Sequence, residues 1–167
     1  FCQTGTDPLP IFGAGAATGG VFSYTGGGTL AINPSTGLID LSGSTVGVTY
    51  TVKYVTPGPC PDSTTFNVTI TNAPDATFSY ANTHYCQGSP TNPTPTFPPG
   101  SSAGTFSATP AGLNFVNANT GQINLSTSNA GTYTISNIIA AAGGCAADTA
   151  TFILTIDSMT VLTDPND

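Results

Sequence analysis

Apolar and polar residues alternate along most of this chain, and turn-forming residues interrupt the alternation every few positions. In Thr49–Val55, for example, Tyr50, Val52 and Tyr54 alternate with threonine and lysine. A period of two residues is typical of a half-buried β-strand, and no stretch carries the spacing of an amphipathic helix. The predicted strands are Val21–Tyr24, Thr29–Ile32, Leu38–Leu41, Thr49–Val55, Thr65–Thr71, Ala76–Tyr80, Tyr85–Gln87, Thr105–Ala108, Leu113–Val116, Gln122–Leu125, Thr132–Ile139 and Thr149–Ile156. The pattern predicts an all-β chain built as an antiparallel β-sandwich.

The strand pattern occurs twice, 84 to 86 residues apart. Four stretches recur, namely Phe1–Gln3 as Tyr85–Gln87, Gly20–Ser23 as Gly104–Ser107, Ser35–Ser42 as Asn119–Ser126, and Thr65–Ile70 as Thr151–Ile156. An internal repeat of this length predicts one small module used as a building block. We expect one module over 1–73 and another over 74–159, with 160–167 as a tail or the start of the next linker. Ala76–Tyr80 has no counterpart before Phe1, so the first strand of the first module is expected upstream.

Charged residues are rare, and nearly all of them are acidic. The 167 residues include one lysine, no arginine, no glutamate and eight aspartates, for a net charge of −7. Binding to nucleic acid depends on lysine and arginine, and so does attraction to anionic membranes, so neither partner is expected. No apolar run approaches the 18 residues of a membrane span, and membrane insertion is not expected.

Four cysteines fall in two equivalent pairs with similar spacing, Cys2 with Cys60 and Cys86 with Cys145. No C-x-x-C motif is present and His84 is the only histidine, so a zinc site would lack its usual ligands. The spacing therefore predicts one disulfide inside each module. Disulfides persist in oxidising compartments, which indicates an extracellular location.

The stretch Leu30–Leu41, followed by Val48–Val52, resembles bacterial Ig-like and PKD-like repeats, in which an N-P-x-T-G hairpin precedes a G-T-Y-T-V strand. The second module departs slightly, with Asn117–Gly121 followed by Gly131–Ile135. With the Y/F-C-Q start and the late cysteine, both modules resemble repeats of giant Bacteroidetes surface adhesins, of the gliding-motility SprB type. The resemblance implies two tandem Ig-like sandwiches in an outer-surface filament exported by the type IX secretion system. It carries over no binding site.

Catalytic groups are nearly absent. A serine or cysteine nucleophile needs a base, and His84 lies beside Tyr85 and Cys86 at a module start. Any carboxylate pair would have to consist of aspartates, which lie at loops and junctions. The sequence therefore predicts that the chain is not an enzyme.

Three Asp-Ser or Asp-Thr steps lie at corresponding places around the final strands, with Ser63, Thr149 and Ser158 as the hydroxyl residues. They resemble the D-[ST]-[AILVMT] acceptor of O-glycosylated Bacteroidetes proteins, which implies a glycoprotein. Such steps equally form Asx or ST turns before a strand.

Calcium is a second use for aspartate, and the weak candidates are Asp75, Asp164 and Asp167. A calcium site takes six to eight oxygens, usually including several carboxylates, so solvated turn aspartates are the default expectation. No cofactor is otherwise expected.

These features predict a structural and adhesive repeat segment of a large extracellular protein, which spaces and presents adhesive surface. Its expected partners are neighbouring repeats and an external surface or polysaccharide. Two alternatives remain, an accessory carbohydrate-binding module of a secreted enzyme and a calcium-stiffened cell-contact module. Four tyrosines could line a sugar-binding face or pack in the core, namely Tyr24, Tyr54, Tyr80 and Tyr85.

Overall fold

The computed structural model describes residues 1–159, and every helix or strand assigned in that range is a β-strand. The strands are β1 (Val21–Thr25), β2 (Ala31–Ile32), β3 (Ile39–Asp40), β4 (Thr49–Val55), β5 (Ser63–Thr69), β6 (His84–Cys86), β7 (Thr105–Thr109), β8 (Phe115–Asn117), β9 (Gln122–Ile123), β10 (Gly131–Ile139) and β11 (Asp148–Asp157). The prediction of an all-β chain is confirmed.

The chain divides into two compact units whose boundary is not a single point in the sequence. Unit 1 consists of Phe1–Ala73 together with Ala141–Ala146, and unit 2 consists of Pro74–Ala140 together with the described residues that follow Ala146. The short segment Ala141–Ala146 connects β10 to β11, two strands of unit 2, and yet it groups with unit 1. The sequence repeat predicts two contiguous modules, so it does not predict that this segment groups with unit 1.

Unit 1 is a small sandwich made of a three-stranded sheet and a short hairpin. The sheet has the antiparallel order β1-β4-β5, and β2 pairs with β3 in the hairpin. Side chains from both layers form one core, namely Phe22, Leu30, Ile39, Leu41, Tyr50, Val52, Tyr54, Val68 and Ile70. The period-two alternation of β4 directs its tyrosines and valine into this core, while Lys53 stays exposed.

Unit 2 repeats this plan with longer strands and one addition. Its sheet has the order β6-β11-β10-β7, and β8 pairs with β9. Here β6 adds to β11 in parallel, and the remaining pairs are antiparallel. The core consists of Phe78, Tyr80, Phe106, Leu113, Ile123, Leu125, Tyr133, Ile135, Leu154 and Ile156.

The hairpin loops of the two units are built alike. Asn33 accepts backbone hydrogen bonds through its side chain at the start of one loop, and Asn117 does so in the other. Gly37 and Gly121 end the loops with φ of 73° and 71°. A Cβ at Gly121 would lie 2.8 Å from ring carbons of Phe106, so this position needs glycine both for its backbone and for its space.

Gly121→Ala is expected to lower the free energy of unfolding by about 2 kcal/mol, because it combines a left-handed backbone with a ring contact. Chemical denaturation of the full chain would measure the change. Gly27→Ala is the matched control, since its φ is not in the left-handed region and a Cβ there meets nothing within 4 Å. Equal effects of the two variants would contradict the argument.

The predicted cysteine pairing is wrong. The structure contains one disulfide among the described residues, between Cys2 and Cys145, with Cα atoms 4.7 Å apart and a sequence separation of 143. Cys60 and Cys86 are free and exposed. The predicted bonds Cys2–Cys60 and Cys86–Cys145, one in each module, therefore do not form.

Strand lengths explain why those bonds cannot form. Cys2 bridges to Thr71, just beyond the end of β5, whereas Cys60 precedes its start. A seven-residue strand spans about 23 Å, and disulfide formation requires Cα atoms within about 7 Å. The same holds in unit 2, where Cys86 pairs with the last residue of the ten-residue β11 and Cys145 precedes its first.

The predicted first strand of the second module, Ala76–Tyr80, is present as an irregular segment. Only Ser79 makes a ladder-type bridge, to Thr96. Ala76, Phe78 and Tyr80 are nevertheless buried in alternation, as the pattern predicts. The segment belongs to unit 2 and fills part of its core.

Candidate functional site

The segment Ala141–Ala146 is held within unit 1 by its disulfide and by tight packing. The hydroxyl of Thr71 donates to the carbonyl of Gly143 at 3.2 Å. Gly143 has a φ of 58°, and a Cβ there would lie 2.5 Å from the Thr71 hydroxyl oxygen. Both disulfide cysteines are buried. The late loop of the second repeat is therefore fitted specifically to the beginning and end of the first.

The two free cysteines are the repeat equivalents of the two bonded ones. Cys86 corresponds to Cys2 at the start of its repeat, and Cys60 corresponds to Cys145 before the final strand. The observed bond therefore joins the first cysteine of one repeat to the late cysteine of the following repeat.

The predicted glycosylation residues are all accessible. Ser63 begins β5, Thr149 is the second residue of β11, and Ser158 follows β11; each is exposed. The aspartates before them differ in their contacts. Asp62 accepts the Ser63 N–H at 2.7 Å, as an Asx turn would, whereas Asp148 accepts the N–H of Ala76 at 2.7 Å. Modification of the three hydroxyls stays a prediction.

The calcium candidates are only partly covered by the structure. Asp164 and Asp167 lie outside the described residues. The carboxylate of Asp75 accepts the Thr77 N–H at 2.9 Å and the Ser101 hydroxyl at 2.8 Å. Within residues 1–159 no three aspartate, histidine or cysteine side chains come together as a metal site would require.

Two aspartates have lowered pKa values because hydroxyl and backbone groups donate to their charged forms. The side chain of Thr77, its N–H and Ser101 lower the pKa of Asp75, and the side chain of Ser42 with the Gly43 N–H lowers the pKa of Asp40. A carboxylate with a lowered folded-state pKa stabilises the fold above its unfolded value near 3.8. That stabilisation is lost as the pH falls through the folded value.

We therefore expect the free energy of unfolding to be flat from neutral pH to about pH 5 and to fall below about pH 4. Denaturant titrations across this range would measure it. In Asp75→Asn the acid limb should be shallower than in the parent chain. An acid limb unchanged in both Asp75→Asn and Asp40→Asn would contradict the assignment.

His84 takes part in no arrangement that resembles a catalytic triad. Its Nδ1 lies 3.2 Å from Oδ2 of Asp157, and both side chains are more than half exposed. A nucleophile would have to lie within hydrogen-bond reach of the base, and the hydrogen bonds of His84 in residues 1–159 include no serine, threonine or cysteine.

The four tyrosines considered for a sugar-binding face lie in or against the cores. Tyr54 and Tyr80 are buried, Tyr24 packs edge-on against Tyr50 at 5.8 Å, and Tyr85 packs against the core of unit 2. The phenol of Tyr54 accepts the Gly20 N–H and donates to the Ala17 carbonyl. These aromatic rings serve packing and leave no aligned row on the surface.

Unit 1 has a cleft of about 510 Å³ that the sequence analysis did not anticipate. Its walls come from the segment around Pro10–Ala17, from Phe22 and Tyr54, and from the beginning of β5. Three apolar side chains of the wall are exposed to an unusual degree for their size, with Ile11 at 97%, Phe66 at 41% and Phe12 at 39%. A cluster of this kind commonly marks an interaction site.

A further repeat in the sequence locates one wall of this cleft. Asp7–Phe12 reads D-P-L-P-I-F, and Asn92–Phe97 reads N-P-T-P-T-F. Both segments make the same contacts: Asp7 accepts the Leu41 N–H at 2.9 Å, and Asn92 accepts the Leu125 N–H at 3.0 Å. The D/N-P-x-P-x-F spacing would have revealed this segment at the sequence level.

No known protein family and no curated protein matches the chain. Among solved structures, mouse cadherin-23 EC22-24 is similar at 14% identity and a TM-score of 0.39, over 96% of this chain and 62% of that one. Human protocadherin-24 EC1-2 is similar at 13% identity and a TM-score of 0.38, over 87% of this chain and 84% of that one. The chain thus spans about three fifths of the cadherin-23 fragment.

A third similar structure is BT4661 of Bacteroides thetaiotaomicron, described as a SusE-like surface located polysaccharide binding protein. The similarity has 16% identity and a TM-score of 0.32, and it covers 82% of this chain and 29% of that one. The likeness is to distant cadherin-like or Ig-like β-sandwiches. Such distant similarity identifies neither a ligand nor a partner for this chain. Among residues 1–159 no helix is long and apolar enough to span a membrane.

Proposed function

We propose that the chain is a structural and adhesive repeat segment of a large extracellular filament, anchored at a bacterial surface and exported by the type IX route. Its work is to space and present adhesive surface, as in gliding adhesins. The observation that carries this proposal is the Cys2–Cys145 disulfide between successive repeats. A bond between successive repeats would fasten each repeat to the next in an array.

In this proposal Cys60 and Cys86 bond to further repeats, so that disulfides connect each repeat to the next along the filament. Each bond forms by exchange with a small disulfide such as oxidised glutathione. The two cysteine thiols lose two electrons and two protons, and the glutathione disulfide takes up both and leaves as two thiols. Both cysteines are exposed, so both are accessible for exchange. An oxidising exterior retains such bonds.

The test uses two complementary variants of the full chain. Cys60→Ser keeps only the free Cys86, and Cys86→Ser keeps only the free Cys60. Mixed with oxidised glutathione at high concentration, the two variants should form a covalent pair more readily than either forms with itself. Non-reducing electrophoresis and mass mapping would measure the products.

A preference for like-with-like bonds, or no Cys60–Cys86 bond at any concentration, would contradict the array. Two further outcomes would replace the proposed function. Polysaccharide binding together with an adjoining hydrolase in the same reading frame would favour the accessory module. A rise in thermal stability with calcium, lost in Asp75→Asn, would favour the calcium-stiffened module.

A further inference from the structure

The two units present equivalent surfaces where the first cysteine of each repeat meets the end of its last long strand. In unit 1 Cys2 bridges in parallel to Thr71, and in unit 2 Cys86 pairs in parallel with Asp157. In both units the residue after the cysteine donates its N–H to the carbonyl of that partner at 2.9 Å. These are the Thr71 surface and the Asp157 surface, and they differ in one side chain, a hydroxyl in the first and a carboxylate in the second.

The Thr71 surface is bound by a loop that belongs to the following repeat in sequence. The loop Ala141–Ala146 accepts a hydrogen bond of 3.2 Å from the Thr71 hydroxyl through the carbonyl of Gly143. The N–H of Cys145 donates to the carbonyl of Ala142 at 2.9 Å, inside the same loop. This loop therefore meets its surface with an acceptor, and its cysteine N–H is already used.

The Asp157 surface has the opposite hydrogen-bonding chemistry. A threonine hydroxyl can donate and accept, whereas an ionised carboxylate can only accept. Oδ2 of Asp157 lies 3.2 Å from Nδ1 of His84, and Oδ1 has no hydrogen-bond partner among residues 1–159. The Asp157 side chain is 52% exposed, and Cys86 beside it is also exposed. A loop carbonyl here would place two acceptor oxygens against each other, so this surface fits a loop that donates.

The loop Thr56–Asp62 has such a donor. It is the counterpart of Ala141–Ala146 in the first repeat, and Cys60 is its cysteine. The loop is closed at its ends, where the N–H of Thr56 donates to the carbonyl of Asp62 at 2.8 Å. Its three prolines have no N–H, and no group among residues 1–159 accepts the N–H of Cys60. The cysteine N–H of this loop is therefore free to donate to a carboxylate.

We propose that the Asp157 surface is the docking site for a loop of the Thr56–Asp62 kind, carried by the following module of the array. The carboxylate of Asp157 accepts the cysteine N–H of that loop, in a charge-assisted hydrogen bond that holds the loop sulfur beside Cys86. The Thr71 surface selects a loop of the Ala141–Ala146 kind by the converse pairing. Modules of the first and second kind therefore alternate along the array. This inference rests on the proposed function, because the partner is a further module.

The test compares two capped six-residue peptides without charged side chains, one with the sequence of 56–61 and one with the sequence of 141–146. Each is joined through its cysteine to glutathione and added to the full chain carrying Cys60→Ser, in which Cys86 is the free thiol. The thiolate of Cys86 attacks the peptide sulfur, a Cys86–peptide disulfide forms and the peptide–glutathione bond breaks. Glutathione leaves with the proton of the Cys86 thiol. No net oxidation occurs, so the equilibrium constant compares how well the two loops dock.

We expect the exchange constant of the 56–61 peptide to be at least fivefold larger than that of the 141–146 peptide. Asp157→Thr, added to Cys60→Ser, places the hydroxyl of unit 1 at this surface and should reverse the preference. Asp75→Asn is the matched control, since it removes a carboxylate of unit 2 outside the surface and should leave the preference unchanged. Mass mapping of the products would identify the bonded cysteine.

Equal exchange constants for the two peptides in Cys60→Ser would overturn the proposal, and so would a preference that Asp157→Thr leaves unchanged. The experiment also fails separately from the test of the array. A Cys60–Cys86 bond between two copies of the chain, without a peptide preference, would overturn the docking site and leave the array in place. A peptide preference without that bond would support the docking site and count against disulfides between repeats.

Discussion

Replacing both Cys2 and Cys145 with serine is expected to lower the free energy of unfolding by about 5 kcal/mol. The bond closes a loop of 143 residues, and in the chain-entropy account the constraint on the unfolded chain grows with the logarithm of loop length. Each unit has about 80 residues and a thin core, so this loss is a large fraction of its stability. The change is expected to be greatest in unit 1, which contains the bonded loop.

Calorimetry under non-reducing conditions would measure this effect, with Cys60→Ser/Cys86→Ser as the matched control. Both substitutions in this control replace exposed free thiols, so its free energy of unfolding should remain within about 0.5 kcal/mol of the parent. The double serine variant at positions 2 and 145 avoids leaving a thiol that could form a wrong bond. A decrease in the free energy of unfolding of less than about 1 kcal/mol would contradict the prediction that this bond is a major contribution to stability.

The second large effect is expected at Asn137, which is 0% exposed. Its amide joins three backbone groups that belong to three different residues, Ala76, Ser102 and Gly104. Asn137→Ala leaves these groups without partners, and each buried unpaired group costs about 1–3 kcal/mol. We expect a loss of about 4 kcal/mol, together with release of the Ala76–Tyr80 segment.

Denaturation would measure the loss, and hydrogen exchange at Ser79 and Thr96 would report the release. Asn119→Ala, at an exposed position of the hairpin loop, is the control and should have little effect. If hydrogen exchange at Ser79 in Asn137→Ala remained as slow as in the parent chain, Asn137 would not be needed to hold the Ala76–Tyr80 segment. That result would contradict this account.

Local residue chemistry predicted the strands well. Tyr50 and Tyr133 lie at the same place in their strands, are both buried, and donate their hydroxyls to loop carbonyls. The hairpin glycines at 37 and 121 take the positive φ that their turn position suggests. These features depend on neighbours close in sequence or directly across a strand, so alternation and turn chemistry are sufficient to predict them.

The disulfide could not be predicted in the same way, because equal spacing within each module suggested a partner inside the module. The decisive fact is that a whole strand separates the two cysteines in each repeat, which spacing alone does not express. The strand boundaries at Ser63 and Asp148 were in the prediction to within two residues, so the incompatibility could have been recognised. The grouping of Ala141–Ala146 with unit 1 depends on tertiary packing, and no local sequence signal indicates it.

The cleft of unit 1 was not predicted because one of its walls has no strand pattern. Asp7–Phe12 contains two prolines, which interrupt alternation, and its identity appears only beside Asn92–Phe97. Asn137 likewise lies within the predicted strand Thr132–Ile139, and nothing near it in the sequence indicates its contacts. Its role depends on three groups that lie 33 to 61 residues away in sequence.

The bond between Cys2 and Cys145 also determines how the chain responds to tension. A pull applied to the backbone before Cys2 and after Cys145 passes through the two sulfur atoms and bypasses the chain between them, which covers a sequence separation of 143. At about 3.5 Å per extended residue, roughly 500 Å of polypeptide is thereby withheld from stretching. Both units could unfold under load without lengthening the chain by that amount, and reduction of a single bond would release the entire reserve.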